Sequence, residues 1–193
     1  GDRVVGTLGV RFGGHAEYVA RDAGSLVAVP SGLSLENAVA LPFGACAALY
    51  FLDDLAHIQA GQRILILGGT GAVGIAAVQI AAHRGALVHA TARPAHSGLV
   101  RSLGAQETID HTSVDPLKTD RRYDVVLDTR GITTFAGARR VLTPTGMYLP
   151  VVATMNEFRQ AFLTARGRVR TGMASDTTAR LRQVVDLASQ GVL

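Results

Sequence analysis

The sequence predicts an α/β protein built on a doubly wound parallel sheet, and three observations carry that expectation. Short apolar runs alternate with helical stretches rather than with tight hairpins, the pattern of parallel strands joined by crossover helices. The strongest run, Ile64 to Leu67, leads directly into a glycine cluster and then into an amphipathic stretch reaching Arg84. The chain has 193 residues, 48% of them hydrophobic, which suits one ordinary domain with an extension and a sizeable core.

The segment from Arg63 to Arg84 organises the rest. Gly69, Gly71 and Gly74 supply a GxGxxG spacing, and each answers a different steric demand: a tight turn, backbone approach to a pyrophosphate, and close packing of helix on strand. The helix begins at Ala72, carries apolar residues at Val73, Ala76, Ala77 and Ile80, and meets Gly85 where a C-cap belongs. Its first amides lack intrahelical partners and carry the positive end of the helix dipole, so they suit a phosphate diester. This is the Rossmann dinucleotide pattern, with Gly69, Thr70, Gly71, Ala72, Val73 and Gly74 as pyrophosphate-binding residues. The alternative is a plain strand-to-helix turn that binds nothing. No Lys-Ser/Thr pair follows the glycines, which excludes a P-loop.

Taken in order, the chain opens with β-type runs at Arg3 to Gly6, His15 to Ala20 and Leu26 to Pro30, the tail of a small β domain. His15 and Glu17 would share a strand face there, in surface or hydrogen-bonded roles. Ser34 and Glu36 start a short helix to about Ala40, Leu41-Pro42 interrupts it, and a second helix runs from Gly44 to about Ile58 with Cys46 in its apolar face. Leu87 to Ala92 is the second core strand. Its end selects the cofactor, because an acidic residue there accepts from a ribose 2′-OH whereas a basic one accommodates a 2′-phosphate. No carboxylate lies between Arg93 and Arg101, so Arg93, with His96, Ser97 and Arg101 as helpers, favours NADP(H) over NAD(H); the alternative is an ordinary solvated arginine.

A helix from about His96 to Leu103 closes at Gly104, and Glu107 to Ile109 is a third strand. Thr112 to Arg122 reads as loop or irregular helix, and Tyr123 to Asp128 as a strong strand. The residues after it, Thr129, Arg130 and Gly131, should lie beside the glycine loop, with Asp128 ordering the turn. Thr133 to Leu142 is expected to be helical, with Arg139-Arg140 on a solvated face, and Pro144-Thr145-Gly146 turns into a strand from Met147 to Val152. A helix from Met155 to Ala165, an exposed strand from Arg168 to Met173, and a last helix capped by Ser175-Asp176 and closed by Gly191 complete the pattern.

Composition excludes several classes. No apolar run approaches the roughly 18 residues that cross a bilayer, and no charged-then-apolar leader opens the chain, so no membrane role and a cytoplasmic location are expected. The single cysteine, Cys46, forms no internal disulfide and builds no zinc site alone. The formal charge is +4 and 18 of the 19 basic residues are arginine, yet these are scattered and aromatics are only 5% of the chain, which disfavours nucleic acid. The chain begins as though in mid-domain and ends where a further strand is expected, the pattern of a piece of a longer protein.

Several stretches together resemble the medium-chain dehydrogenase/reductase superfamily, in its zinc-independent quinone oxidoreductase-like branch: GDRVVG at 1 to 6, GGHAEYV at 13 to 19, the segments at 30 to 52 and 60 to 86, RSLGA at 101 to 105 and YDVVLDTRG at 123 to 131. The resemblance implies a short β remnant of a GroES-like catalytic domain over residues 1–42 and a dinucleotide-binding Rossmann domain over 43–193. It implies NADPH-dependent hydride transfer to an electron-poor C=C or quinone, a small carbonyl-conjugated or quinone substrate, and a homodimer joined at Arg168 to Met173 or Met147 to Val152. A polyketide-type enoyl reductase is a close variant; a catalytically silent NADP(H)-binding sensor or interaction protein is the alternative of another class. Zinc-dependent relatives place a cysteine ligand where Phe43 stands, and Cys46 falls three residues late, so no metal site is expected. Arg93 and His96 replace a serine and a lysine around the 2′-phosphate, and Ala47 replaces a threonine. No catalytic residue is assigned.

Overall fold

The computed structural model describes residues 1–9, 12–155, 159, 167–174 and 177–193. Two short strands, β1 (Val4–Val5) and β2 (Val27–Ala28), pair antiparallel near the start. The second β-type run does not form: His15 to Ala20 is irregular, and Tyr18 is 90% exposed. Alternation makes a strand only where a neighbour takes its ladder bonds, and no described strand pairs with this segment. His15 and Glu17 therefore share no strand face.

Helix α1 (Leu35–Leu49) starts where expected, with the Ser34 hydroxyl accepting from the Asn37 N–H at 3.1 Å. It then runs unbroken through Pro42, against the expected interruption, so residues 42 and 43 lie in one helix. Proline removes one ladder bond there, and the burial of Ala38, Ala45, Cys46, Ala48 and Leu49 along the helix offsets the loss. A π-helical turn, Tyr50–Ala56, continues it and ends at His57 with a left-handed φ of 50°.

Among the described residues the main sheet has five strands: β3 (Arg63–Leu67), β4 (Leu87–Thr91), β5 (Glu107–Ile109), β6 (Tyr123–Asp128) and β7 (Leu142–Pro150). They lie in the order β5-β4-β3-β6-β7, and every pairing is parallel. Central β3 is covered on both faces, with Ile64, Leu65, Ile66 and Leu67 all 0% exposed. One face packs on α1, on α2 (Ala72–His83) and on the last helix; the other packs Leu65 and Leu67 against Tyr123, Val126 and Tyr148. The helical stretch Leu35–Ala56 spans 22 residues with hydropathy 1.5, long and apolar enough by composition to cross a bilayer. That corrects the expectation that nothing here has such length, because the proline divided on paper what is one helix in space. Half of its apolar window is buried inside the molecule, the environment of a core helix.

Helix α3 (Pro94–Ser102) begins before His96, since Pro94 takes the first helical position and Arg93 becomes its N-cap. The helix expected over Thr133 to Leu142 shrinks to one turn, α4 (Phe135–Ala138). Gly137 weakens it, and Leu142 is drawn into β7 by pairing with Tyr123. Strand β7 thus starts earlier than Met147, and the Pro144-Thr145-Gly146 turn survives as an irregularity within it. Arg168 secures that irregularity, donating from Nε to the Gly146 carbonyl and from Nη2 to the Thr143 carbonyl, each at 2.9 Å. Arg168 to Met173 is not the exposed strand expected; it makes one parallel bridge, Val169 to Tyr148, and Val169 is 1% exposed. Helix α5 (Thr178–Ser189) is capped by Thr177, whose hydroxyl accepts from the Arg180 N–H at 3.2 Å. The Ser175-Asp176 cap and most of the Met155 to Ala165 helix lie outside the described residues.

Candidate functional site

Strand order reverses at β3, where β4 lies on one side and β6 on the other, and the carboxyl ends of β3 and β6 open a crevice between them. Gly68 leaves β3 with φ +95°, a conformation that glycine adopts at no cost. The tight-turn demand therefore falls on Gly68 rather than on Gly69. Gly69 instead answers a packing demand, since a Cβ there would sit 2.9 Å from the Ala90 Cβ and 3.2 Å from the Thr91 carbonyl oxygen. A Cβ on Gly74 would collide with the Gly68 carbonyl, so α2 is pressed directly onto the loop. Thr91 fixes the arrangement from β4: its hydroxyl accepts from the Gly68 N–H at 2.8 Å, and its carbonyl accepts from the Gly69 N–H at 3.0 Å.

Gly71 is the N-cap of α2, and no side chain caps the amides of the first turn. A Cβ on Gly71 would meet only the Gly68 oxygen, at 3.8 Å. Thr70, Gly71 and Ala72 are exposed and Val73 is half-buried, and all four line a cleft of about 370 Å3. The helix dipole makes this end of the cleft electropositive.

The facing wall is Thr129 and Arg130. Thr129 donates from its hydroxyl to the Leu67 carbonyl at 2.8 Å, tying β6 to β3. Asp128, 0% exposed, accepts from the N–H groups of Arg130 (3.0 Å), Gly131 (2.9 Å) and Thr133 (3.0 Å) and from the Tyr148 hydroxyl (3.2 Å). Its carboxylate is thus committed to ordering the turn, as expected from its place after a core strand. Phe43 of α1, 77% exposed, lines the cleft with an apolar ring.

Arg93 and His96 stand apart from that cleft, at the start of α3, exposed and joined by the His96 N–H donating to the Arg93 carbonyl at 2.9 Å. The neighbouring strand end comes close, because the Ala92 N–H donates to the Ile109 carbonyl at 3.1 Å. Two residues beyond Ile109, His111 has a buried Nδ1 with no hydrogen-bond partner among the described residues. Gly131, with φ +65°, packs on Val152 and does not line the cleft. The structure therefore groups Thr70 to Val73 with Thr129 and Arg130, and places Arg93 and His96 at the adjacent strand end. Sequence reasoning missed the role of Thr91 in fixing the loop and of Phe43 in lining the cleft. Only Thr91 carried a signal, a hydroxyl closing an otherwise apolar strand.

A family model described as zinc-binding dehydrogenase matches residues 72–190. The polyketide synthase GfsB of Streptomyces halstedii is 38% identical over 130 residues, which cover 66% of this chain and 2% of that protein. The solved quinone oxidoreductase from Coxiella burnetii superposes with a TM-score of 0.88 at 27% identity, covering 100% of this chain and 62% of that one. The solved CurK enoyl reductase superposes with a TM-score of 0.69 at 27% identity, covering 90% of this chain and 57% of that one. The chain thus spans a small fraction of the synthase and less than two thirds of either solved relative.

Proposed function

The chain belongs to the zinc-binding dehydrogenase family, within the medium-chain dehydrogenase/reductase superfamily, and on that premise we propose that it is the dinucleotide-binding domain of an NADPH-dependent, zinc-independent oxidoreductase. The parent enzyme transfers hydride to an electron-poor C=C or a quinone. Residues 1–42 are the remnant of its GroES-like domain and 43–193 the Rossmann domain. The observation that carries this assignment is the uncapped N-terminus of α2, opening on a cleft where Gly69 and Gly74 leave no room for a side chain.

The residues present fit a dinucleotide. The amides of Thr70, Ala72, Val73 and Gly74, with Gly71 admitting close approach, hold the pyrophosphate. Arg93 and His96 hold the 2′-phosphate. Thr129, Arg130 and Gly131 flank the ribose and nicotinamide side, and Phe43 offers an apolar wall. When bound, the nicotinamide supplies the hydride chemistry; the chain's part is to bind and orient it.

The donor set does not fit the zinc of the family's description. Among the described residues no group of three or more His, Cys, Asp or Glu could hold a metal ion, and Cys46 is buried in α1. A cytoplasmic enzyme, self-associating along the β7 side of the sheet, completes the proposal.

The test is a parallel fluorescence titration of this chain with NADPH and NADH, repeated on Arg93→Asp. The expected result is NADPH tighter by tenfold or more, about 1.4 kcal/mol, with the preference erased in the variant. Equal binding of NADH would overturn the 2′-phosphate assignment. A second reading, an enoyl reductase domain of a polyketide synthase, is favoured by the likeness to GfsB and to CurK enoyl reductase. Turnover of an enoyl thioester, but not of a quinone, by a protein containing this chain would select it.

A further inference from the structure

At the amino ends of the same strands, opposite the glycine loop, lies a cavity of about 280 Å3, several times the roughly 30 Å3 that one water occupies in the liquid. Side chains alternate along a strand, so Arg63 shares the face of β3 that carries Leu65 and Leu67. Register places Leu87 beside Arg63, His89 beside Leu65, and Glu107 beside His89. Tyr123, at the start of β6, packs with Leu65 on the same face. On that face the connection from β5 to β6 is an irregular loop, not a helix.

A parallel sheet covered on both faces ordinarily carries apolar residues there. This one instead gathers two guanidinium groups, an imidazole, a phenol and a carboxylate around one hollow. Arg121 and Glu107 form an ion pair and cancel one another's charge. Arg63 uses its backbone N–H on Asp124, at 2.9 Å, while its guanidinium has no hydrogen bond or ion pair among the described residues. His89 packs edge-on against Tyr123, with ring centroids 5.5 Å apart, and its Nδ1 lies 3.1 Å from the Tyr123 hydroxyl. Its Nε2 has no partner among the described residues. Tyr123 is 0% exposed, so the phenol holds the ring from within the core. One positive charge is left over, lining the same hollow as the imidazole, with Leu87 as an apolar wall.

We propose that this cavity binds a small oxyanion, a carboxylate or a phosphate monoester, between the Arg63 guanidinium and His89 Nε2, with its carbon stem against Leu87. In the tautomer where Nδ1 accepts from the Tyr123 hydroxyl, Nε2–H donates to the anion. Arg63 supplies a charge-assisted bond, and Arg121, paired with Glu107, also bonds the Tyr123 hydroxyl that holds His89. The site lies at the edge of the sheet opposite the cleft of the α2 N-terminus, so it takes a ligand independently of the nicotinamide cofactor.

The test follows histidine ring signals of this chain by NMR while sodium acetate, and separately inorganic phosphate, replaces chloride at constant ionic strength. His89→Gln identifies the His89 signal by its loss. A saturable shift of that signal with either probe is expected, weakened tenfold or more in Arg63→Gln, partly restored in Arg63→Lys, and unchanged in Arg93→Gln. Saturation by phosphate alone or by acetate alone tells the two sources apart. Arg63 is exposed, so its variants should unfold at the wild-type midpoint. A shift that rises without saturating, or is the same in Arg63→Gln, would overturn the site and leave only the general field of the chain's +4 charge.

Discussion

The two ends of one parallel sheet are built from different materials. At the carboxyl end, the glycine loop and the start of α2 offer backbone amides, and the nearest carboxylate, Asp128, is turned inward on its own loop. At the amino end, the offer is made by side chains: Arg63, His89, Glu107, Arg121 and Tyr123. Backbone donors are fixed by the fold itself, so they are preorganised and sterically unforgiving; side-chain charges are adjustable and respond to salt and pH. Added bulk should therefore break the first end, and altered charge the second.

Gly74→Val gives the largest expected effect. The new side chain would drive into the Gly68 carbonyl, and neither α2 nor β3, buried on both faces, has space to retreat. Overpacking of this kind costs about 3 kcal/mol, read as a lower urea midpoint, and the proposed NADPH binding should vanish with it. A variant that keeps wild-type stability would show that helix and loop do not press together as described.

Asp128→Asn comes next. The carboxylate accepts from three backbone N–H groups and one phenol, whereas an amide offers a single acceptor oxygen and no charge. The expected loss is about 2 kcal/mol, with faster hydrogen exchange at Arg130, Gly131 and Thr133. Arg63→Gln, also one lost charge but at the amino end and exposed, should change stability by less than about 0.5 kcal/mol. Equal losses from the two would erase the contrast.

What the sequence made legible follows the same division. Strands β5 and β6 and the start of α2 fall where their residues put them, because a run such as Tyr123 to Asp128 or a glycine before Ala72 is read from neighbours in the chain. The unbroken α1 was not legible, because burial on the core decides whether a proline is tolerated. Nor was the shrinkage of Thr133 to Leu142 to a single turn, which depends on Tyr123 recruiting Leu142. At the site, Gly71 and Ala72 were legible from spacing, whereas Thr91 and Phe43 enter only once β4 and α1 are folded against the loop. The amino-end cavity is the extreme case: its residues lie from 63 to 123 in sequence, and only the parallel register brings them together.

The smallest predicted effect tests that end through pH. Burial lowers the pKa of His89 below its ordinary value, Arg121 and Arg63 push the same way, and Glu107 opposes them. The unfolded chain, with a histidine pKa of about 6.5, then binds more protons than the folded chain once the pH falls below that value. Stability is fully present above about pH 6.5 and declines as pH drops toward the lowered folded value, where the slope ends. His89→Gln should remove this component, so the difference between wild-type and variant unfolding curves isolates it from carboxylates titrating lower. An oxyanion on Nε2 would favour the protonated ring and flatten the decline, so phosphate should reduce the difference in wild type and do nothing in the variant. An identical acid slope in both proteins would mean that His89 is already solvated, and that the hollow beside it is open water rather than a built site.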